Sequence, residues 1–166
     1  MLERTTVIVG NPKARSRTSA AAEAVAAFVA ERLGASPTTT VIELPDLGPG
    51  LLGWGDPGVA EAVAAAKGAD LLVVASPTYK ATYTGLLKLF LDQIGADELA
   101  GVATVPVMVG AGAGHALAPI STSTGRRWVS TASAWPAPAP TITGTVATPA
   151  SSSAPIWSRN SLSRPV

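Results

Sequence analysis

The chain has 166 residues, of which 47% are hydrophobic, so it can close one core and is too short to build two full domains. Its formal net charge is +1 and only 14% of its residues are charged, which excludes a basic nucleic-acid tract and a polybasic membrane patch. The absence of cysteine and the presence of a single histidine, His115, exclude disulfides, a catalytic thiol and a multi-histidine metal site.

The amino terminus leads directly into a strand pattern, without the basic, apolar and small-residue zones of a signal peptide. β-branched or continuous apolar runs predict four strands, at residues 5–9, 38–44, 71–75 and 106–109. Apolar residues at helical spacing predict three intervening helices, at residues 18–33, 57–67 and 86–94. No apolar run is long enough to span a bilayer, so we expect a cytoplasmic protein without a membrane partner.

Particular residues mark where these elements begin and end. Gly34 stands where a helix C-cap is expected, and Asp56-Pro57 supplies an N-cap and a first-turn proline. Pro106 is tolerable as the first residue of the fourth strand. The helix at residues 86–94 is apolar on more than one face, which predicts burial at a subunit interface. We therefore expect a homodimer or a homotetramer.

Strands and helices that alternate at this spacing predict an α/β fold, in which a doubly wound parallel sheet has right-handed crossovers and helices on both faces. In such a sheet, ligands bind beyond the carboxyl ends of the strands. Three loops follow predicted strands, at residues 10–18, 76–82 and 110–115. We therefore expect these three loops to converge on one site.

The first of these loops joins a strand to a helix and is rich in hydroxyls and cations. The side chains concerned are those of Lys13, Arg15, Ser16, Arg17, Thr18 and Ser19. A helix amino terminus has unpaired N–H groups and the positive end of a dipole, so this loop suits a phosphate dianion. It matches neither the dinucleotide nor the P-loop glycine pattern, which favours a monophosphate. An ordinary capped helix start with solvated charges is the alternative interpretation.

The other two loops suit a planar ligand. In the second loop, Tyr79 can cover a planar ring, and Lys80 can hold negative charge that develops on the ring when it is reduced. The alternative is a helix-initiating loop in which Tyr79 and Tyr83 are packing residues. In the third loop, glycines at positions 110, 112 and 114 let backbone approach a flat ligand, although flexible turns are also rich in glycine. We expect at most a binding role for His115.

The composition changes abruptly after residue 117. From there to residue 166 the chain contains no Asp, Glu or Lys, and the fifth strand and further helices that the fold requires are not recognisable. One interpretation is a proline-extended tail anchored by Trp128, Trp135 and Trp157. The other is a reading frame that shifted after His115. We therefore divide the chain into a core at residues 1–118 and an atypical segment rich in Ser, Thr, Pro and Ala at residues 119–166.

Residues 10–18, 76–92 and 110–115 together resemble the NADPH-dependent FMN reductase family, and the middle segment is the most specific. The closest likeness is to flavin reductases that serve alkanesulfonate-type two-component monooxygenases, and it covers residues 5 to about 118 in order and spacing. The resemblance implies a flavodoxin-like fold that binds FMN. Carried over by position, it implies phosphate contacts by Asn11, Ser16, Arg17 and Thr18 and ring contacts by Pro77, Thr78, Tyr79, Lys80 and Gly112.

The activity implied by the resemblance is NAD(P)H-dependent reduction of FMN, with reduced flavin supplied to a monooxygenase. The nicotinamide delivers a hydride to the flavin, so we assign no catalytic side chain and no metal ligand. An FMN-containing quinone, azo or metal-ion reductase is the alternative within the same fold. A flavodoxin that carries electrons is disfavoured by the net charge of +1, and an inactive protein with an altered carboxyl third is the remaining alternative.

Overall fold

The computed structural model describes residues 1–110, and the bounds of its strands and helices follow the sequence pattern closely. The strands are β1 (Arg4–Val9), β2 (Thr38–Glu43), β3 (Leu71–Pro77) and β4 (Ala103–Val109). The α-helices are α1 (Arg17–Arg32), α2 (Pro57–Lys67) and α3 (Gly85–Leu91), and a 3₁₀ segment at Leu44–Leu52 follows β2. This order confirms the predicted alternation of strands and helices.

The four strands form one parallel sheet in the order β2-β1-β3-β4. Val9 at the end of β1 is in register with Glu43 of β2 and with Ala75 of β3, so the strands end along the same edge. The chain passes from β1 outward to β2 and then returns across β1 to β3. The strand order therefore reverses between β1 and β3, which is where ligands bind in open α/β sheets.

Side chains that alternate along the strands divide the core between the two faces of the sheet. Val7 and Val9 of β1 pack in the cluster that contains α1, whereas Ile8 packs in the cluster that contains α2 and α3. Strand residues that are buried on both faces produce the continuous apolar runs seen in the sequence. The prediction of a doubly wound α/β fold is thus confirmed.

Cap residues determine where the helices begin and end. The Asp56 carboxylate accepts a hydrogen bond of 3.0 Å from the Val59 N–H, as expected for the N-cap of α2. Helix α1 ends at the C-cap residue Leu33, and Gly34 follows in the left-handed region at φ +61°. Gly34 thus ends α1 as predicted, one position beyond the C-cap itself.

Three predicted boundaries are wrong by two residues or more, and the first is the end of β3, which lies at Pro77 and not at residue 75. The fourth strand begins at Ala103, so Pro106 lies inside it and not at its start. The Ala103 N–H donates to the Asp70 carbonyl, so the backbone N–H groups of residues 103, 105 and 107 face β3. The backbone nitrogen of Pro106 faces away from β3, and its lack of an N–H therefore costs no hydrogen bond with that strand. Helix α3 ends at Leu91, because the N–H of Ile94 bonds back three residues to the Leu91 carbonyl and tightens the turn.

The apolar residues of α3 largely pack inside the chain. Leu87 and Phe90 are buried in the core. The partly buried residues that pack against the same cluster include Leu86, Leu89, Leu91 and Ile94. The homodimer or homotetramer expected from this helix stays a prediction.

Within residues 1–110, no helix is long and apolar enough to cross a membrane. The predictions for Gly112, His115 and the segment at residues 119–166 lie outside the described residues.

Candidate functional site

Two loops leave the carboxyl ends of the neighbouring strands β1 and β3. The first loop is residues 10–16, between β1 and α1, and the second loop is residues 78–84, between β3 and α3. Because β1 and β3 pair in parallel, the two loops emerge side by side at the reversal of the strand order. The structure therefore brings together two of the three loops that were expected to converge, while the third continues beyond the described residues.

Gly10 lies at the contact between the first loop and α3. Its N–H donates to the Ala75 carbonyl at 2.7 Å, and its carbonyl accepts a hydrogen bond of 2.5 Å from the Thr84 hydroxyl. A Cβ atom at position 10 would lie 2.6 Å from the Leu87 Cβ. Only glycine permits this close approach.

Thr84 and Ser76 are buried polar residues that hold the second loop in place. The Ser76 Oγ accepts a hydrogen bond of 3.0 Å from the Thr84 N–H. The Thr84 Oγ1 also accepts from the Leu87 N–H at 3.2 Å, which makes Thr84 the N-cap of α3. A single hydroxyl thus caps α3 and joins it to the first loop.

The first loop is shaped by its own side chains. The Asn11 Oδ1 accepts from the Lys13 N–H at 2.9 Å, and the Asn11 Nδ2 donates to the Thr18 Oγ1 at 3.0 Å. The Ser16 Oγ accepts from the Ser19 N–H at 3.3 Å and is the N-cap of α1. Asn11, Ser16 and Thr18 therefore lie together at the start of this helix, and Thr18 is buried.

The first loop and the start of α1 carry unpaired positive charge. Lys13, Arg15 and Arg17 are all exposed, and the first turn of α1 contains no acidic residue. The salt bridges within residues 1–110 are Lys67–Glu98 and Lys88–Asp92, neither of which includes these cations. Together with the dipole of α1, the three cations favour an anion at this position.

The second loop contains a tight turn built from residues that do not favour it. The N–H groups of Tyr79 and Thr82 donate to each other's carbonyls at 2.9 and 3.1 Å. Between them, Lys80 and Ala81 have φ values of +51° and +65°, as in a type I′ turn, where glycine and asparagine are usual. The turn leaves Tyr79 and Lys80 exposed at the carboxyl edge of the sheet.

Thr78 joins this turn to the sheet. Its N–H donates to the Val109 carbonyl at 2.8 Å, while its Oγ1 is buried and has no hydrogen-bond partner among residues 1–110. Pro77, at the end of β3, is also buried. A buried hydroxyl without a partner is costly unless something bonds to it.

The structure places eight of the nine predicted site residues in these two neighbouring regions, and the ninth, Gly112, lies outside the described residues. The sequence interpretation missed Gly10, Ser76, Thr84 and Glu43, whose contacts with the loops are made across the fold. A threonine directly before a helical run was a signal for Thr84 as an N-cap. Among the described residues, no group of three or more His, Cys, Asp or Glu residues can hold a metal ion.

Comparison with known proteins identifies the family. Residues 4–141 match the family model described as NADPH-dependent FMN reductase. The chain belongs to this family. The matched range includes both loops and extends past residue 118 into the part of the chain that the structure does not describe.

Two characterised relatives match a shorter segment. The chain is 47% identical over 49 residues to the NADH-dependent FMN reductase SfnF of Pseudomonas putida, covering 30% of this chain and 26% of the relative. It is 44% identical over 50 residues to an FMN reductase (NADPH) of Escherichia coli K12, covering 30% of this chain and 26% of that relative. The matched segments thus span about a quarter of the length of each relative.

A solved structure described as NADH:FMN oxidoreductase (EMOB), in its apo form, has a similar fold. The two chains are 37% identical, with a TM-score of 0.66. The likeness covers 72% of this chain and 65% of the other. The flavodoxin-like architecture expected from the sequence is confirmed for the described residues.

Proposed function

We propose that this protein catalyses the NAD(P)H-dependent reduction of FMN, and that FMN binds at the two paired loops. The observation that carries the proposal is the hydrogen bond from Thr84 to Gly10, which joins a cationic helix start to a turn with an exposed aromatic residue. A phosphate and a planar ring that belong to one ligand require such a pair of neighbouring regions. Membership in the FMN reductase family supports the same ligand.

The first loop is the proposed site of the FMN phosphate, with contacts from Asn11, Ser16, Arg17 and Thr18. The Ser16 hydroxyl already accepts the N–H of Ser19, so its proton is available to an anion. Arg17 is exposed and can donate charge-assisted hydrogen bonds. Asn11 and Thr18 bond to each other and therefore also keep the loop in shape.

The end of β3 and the second loop are the proposed site of the isoalloxazine ring, with contacts from Pro77, Thr78, Tyr79, Lys80 and Gly112. The Thr78 hydroxyl, which lacks a partner among the described residues, can bond to a polar atom at the ring edge. Tyr79 can cover the ring, and Lys80 can stabilise negative charge at its N1 and O2 side. FMN, when bound, accepts the hydride from the nicotinamide, so the side chains position and stabilise without a catalytic residue of their own.

The biological setting belongs to the same proposal. Reduced FMN passes to a monooxygenase, and the protein works in the cytoplasm as a homodimer or homotetramer. The relatives named as FMN reductases support a role in which flavin is the substrate. The apolar residues of α3 that are only partly buried in one chain support assembly.

Steady-state oxidation of NADH and NADPH by the purified full chain tests this proposal. We expect oxidation that depends on added FMN, a visible spectrum that reports any flavin that stays bound, and weaker activity when a quinone replaces free FMN as acceptor. Equal or faster reduction of quinone by a protein that retains its FMN would instead identify the quinone reductase alternative.

A further inference from the structure

Glu43 connects β2 to the first loop. It is the last residue of β2 and pairs in register with Val9, the last residue of β1. Its Oε1 accepts a hydrogen bond of 3.0 Å from the Arg15 N–H, across 28 residues of sequence. Its Oε2 is buried and has no hydrogen-bond partner among residues 1–110. No motif in the sequence assigned a role to this carboxylate.

The Arg15 N–H lies at a point of the first loop where the backbone conformation is unusual. Arg15 has φ +49°, in the left-handed region that residues with a Cβ rarely adopt. The next residue, Ser16, caps α1, and Arg17 begins that helix. The conformation of Arg15 therefore determines the direction in which Ser16 and the first N–H groups of α1 face.

A carboxylate is poorly suited to touch a phosphate, because like charges repel at short distance. A direct role for Glu43 as a ligand contact is therefore disfavoured, whereas its bond to a backbone N–H is the kind of contact that holds a loop in one shape. Arg15 also makes no salt bridge with the described residues, so its backbone, and not its guanidinium, connects it to Glu43.

We infer that Glu43 is a positioning residue for the anion site, which holds Arg15 in its left-handed conformation and thereby presents Ser16 and Arg17 to the phosphate of FMN. This inference rests on the proposed function, since it concerns the same site. It predicts that substitution of Glu43 changes the affinity for FMN, which carries a phosphate, and leaves the affinity for riboflavin, which does not, nearly unchanged.

The first test compares Glu43→Ala with Glu43→Gln in the full chain, with FMN and riboflavin as ligands. Glu43→Ala removes the acceptor, and a hydrogen bond to a charged group is strong enough that we expect an affinity loss for FMN of about tenfold. The affinity for riboflavin should stay close to the wild-type value. Glu43→Gln keeps an oxygen that can accept from Arg15 and lacks the repulsive charge, so FMN affinity should equal or exceed that of the wild type. In turnover, Glu43→Ala should raise KM for FMN and leave kcat nearly unchanged.

The second test uses the conformation of Arg15 itself. Arg15→Gly and Arg15→Ala both remove the guanidinium, but only glycine adopts a positive φ as readily as a negative one. Adding Glu43→Ala should therefore reduce FMN affinity strongly in the Arg15→Ala background and only weakly in the Arg15→Gly background. An equal loss in the two backgrounds would overturn the positioning role, because the loss would then not depend on the backbone conformation at residue 15.

Hydrogen exchange at the Arg15 amide completes the test without any flavin. Exchange should be faster in Glu43→Ala than in the wild type, and unchanged exchange would overturn the inference even if FMN binds.

Equal loss of FMN and riboflavin affinity would also overturn it, as would unchanged FMN affinity in Glu43→Ala. A wild-type chain that binds no FMN would overturn the proposed function itself, which is a different outcome. If Glu43→Ala fails to fold, Glu43→Asp replaces it in the same comparison, because aspartate keeps the charge but is one methylene too short to keep the bond to the Arg15 N–H; a loss of FMN affinity in the Arg15→Ala background only supports the inference, and an equal effect in both backgrounds overturns it.

Discussion

The Thr84 hydroxyl donates a hydrogen bond of 2.5 Å to the carbonyl of Gly10, 74 residues earlier in the chain. The same oxygen accepts the N–H of Leu87 and so caps α3. This bond joins the loop after β1 to the loop after β3, and the proposed phosphate and ring sites therefore keep a constant separation. Buried hydroxyls that are fully bonded favour one arrangement of a site over its alternatives.

Replacement of Thr84 should weaken both the fold and the site. Thr84→Ala removes an N-cap and a buried hydrogen bond, and we expect a loss of about 1–3 kcal/mol in the free energy of unfolding. Thr84→Ser keeps the hydroxyl and should recover most of this loss. Urea denaturation measures both variants, and an alanine variant as stable as the serine variant would show that the hydroxyl contributes nothing.

Gly10→Ala should destabilise the protein by about 1–3 kcal/mol, because its Cβ would overlap Leu87 in a well-packed region. The matched control is Gly53→Ala, since a Cβ at Gly53 meets no atom within 4 Å and its φ of −142° suits any residue. Thermal unfolding of the two variants measures the difference. The explanation by close packing would fail if both substitutions had the same effect.

The phosphate assignment predicts unequal effects on two flavins. The double variant Ser16→Ala with Arg17→Ala should bind FMN at least about tenfold more weakly, since each charge-assisted hydrogen bond is worth about 1.5–3 kcal/mol. Riboflavin, which lacks the phosphate, should be affected far less. Arg32→Ala, at the opposite end of α1, is the control for loss of a positive charge. Equal losses for FMN and riboflavin in the double variant would refute the assignment.

The turn at Tyr79–Thr82 stores backbone strain that can be measured. Ala81 has φ +65°, so Ala81→Gly should relieve strain and raise the free energy of unfolding by about 1 kcal/mol. The greater conformational entropy of glycine in the unfolded chain offsets part of this gain. Ala60→Gly, at an exposed position inside α2, should have the opposite sign and lower stability by about 0.5–1 kcal/mol. A destabilising effect of Ala81→Gly as large as that of Ala60→Gly would show that the turn is unstrained.

The stability of the protein should depend on pH through Asp70. Hydrogen bonds from the backbone N–H groups of Arg4 and Glu3, both at 2.8 Å, hold the pKa of this exposed carboxyl below its ordinary value of 3.8. Its stabilising contribution is therefore complete above pH 3.8 and is lost as the pH falls through the lowered folded value. Asp70→Asn should be less stable than the wild type at neutral pH, and the difference should shrink in acid. A difference that stays constant with pH would contradict this sign.

Local patterns predicted most of the fold because its elements carry their own signals. The apolar run of β3 reflects burial on both faces of the sheet, and Asp56-Pro57 is a typical helix start that begins α2 here. The start of β4 was predicted wrongly because a proline is tolerated inside a strand when its nitrogen faces away from the neighbouring strand. Which edge of β4 faces β3 is a property of the sheet and not of the local sequence.

The site was predictable only in part for the same reason. Residues next to strong local patterns were found, such as Ser16 at the start of α1 and Thr78 directly after β3. Glu43 and Thr84 act through bonds that span 28 and 74 residues, and no local pattern encodes such contacts. The strained φ of Arg15 became visible only in the structure.

The decisive measurement for flavin reduction is the rate of NADH or NADPH oxidation by the purified full chain as the FMN concentration is increased. We expect a rate that rises with FMN and saturates, since FMN binds at the paired loops and accepts a hydride there. A rate no higher than that of buffer with FMN alone, for both nicotinamides, would contradict it.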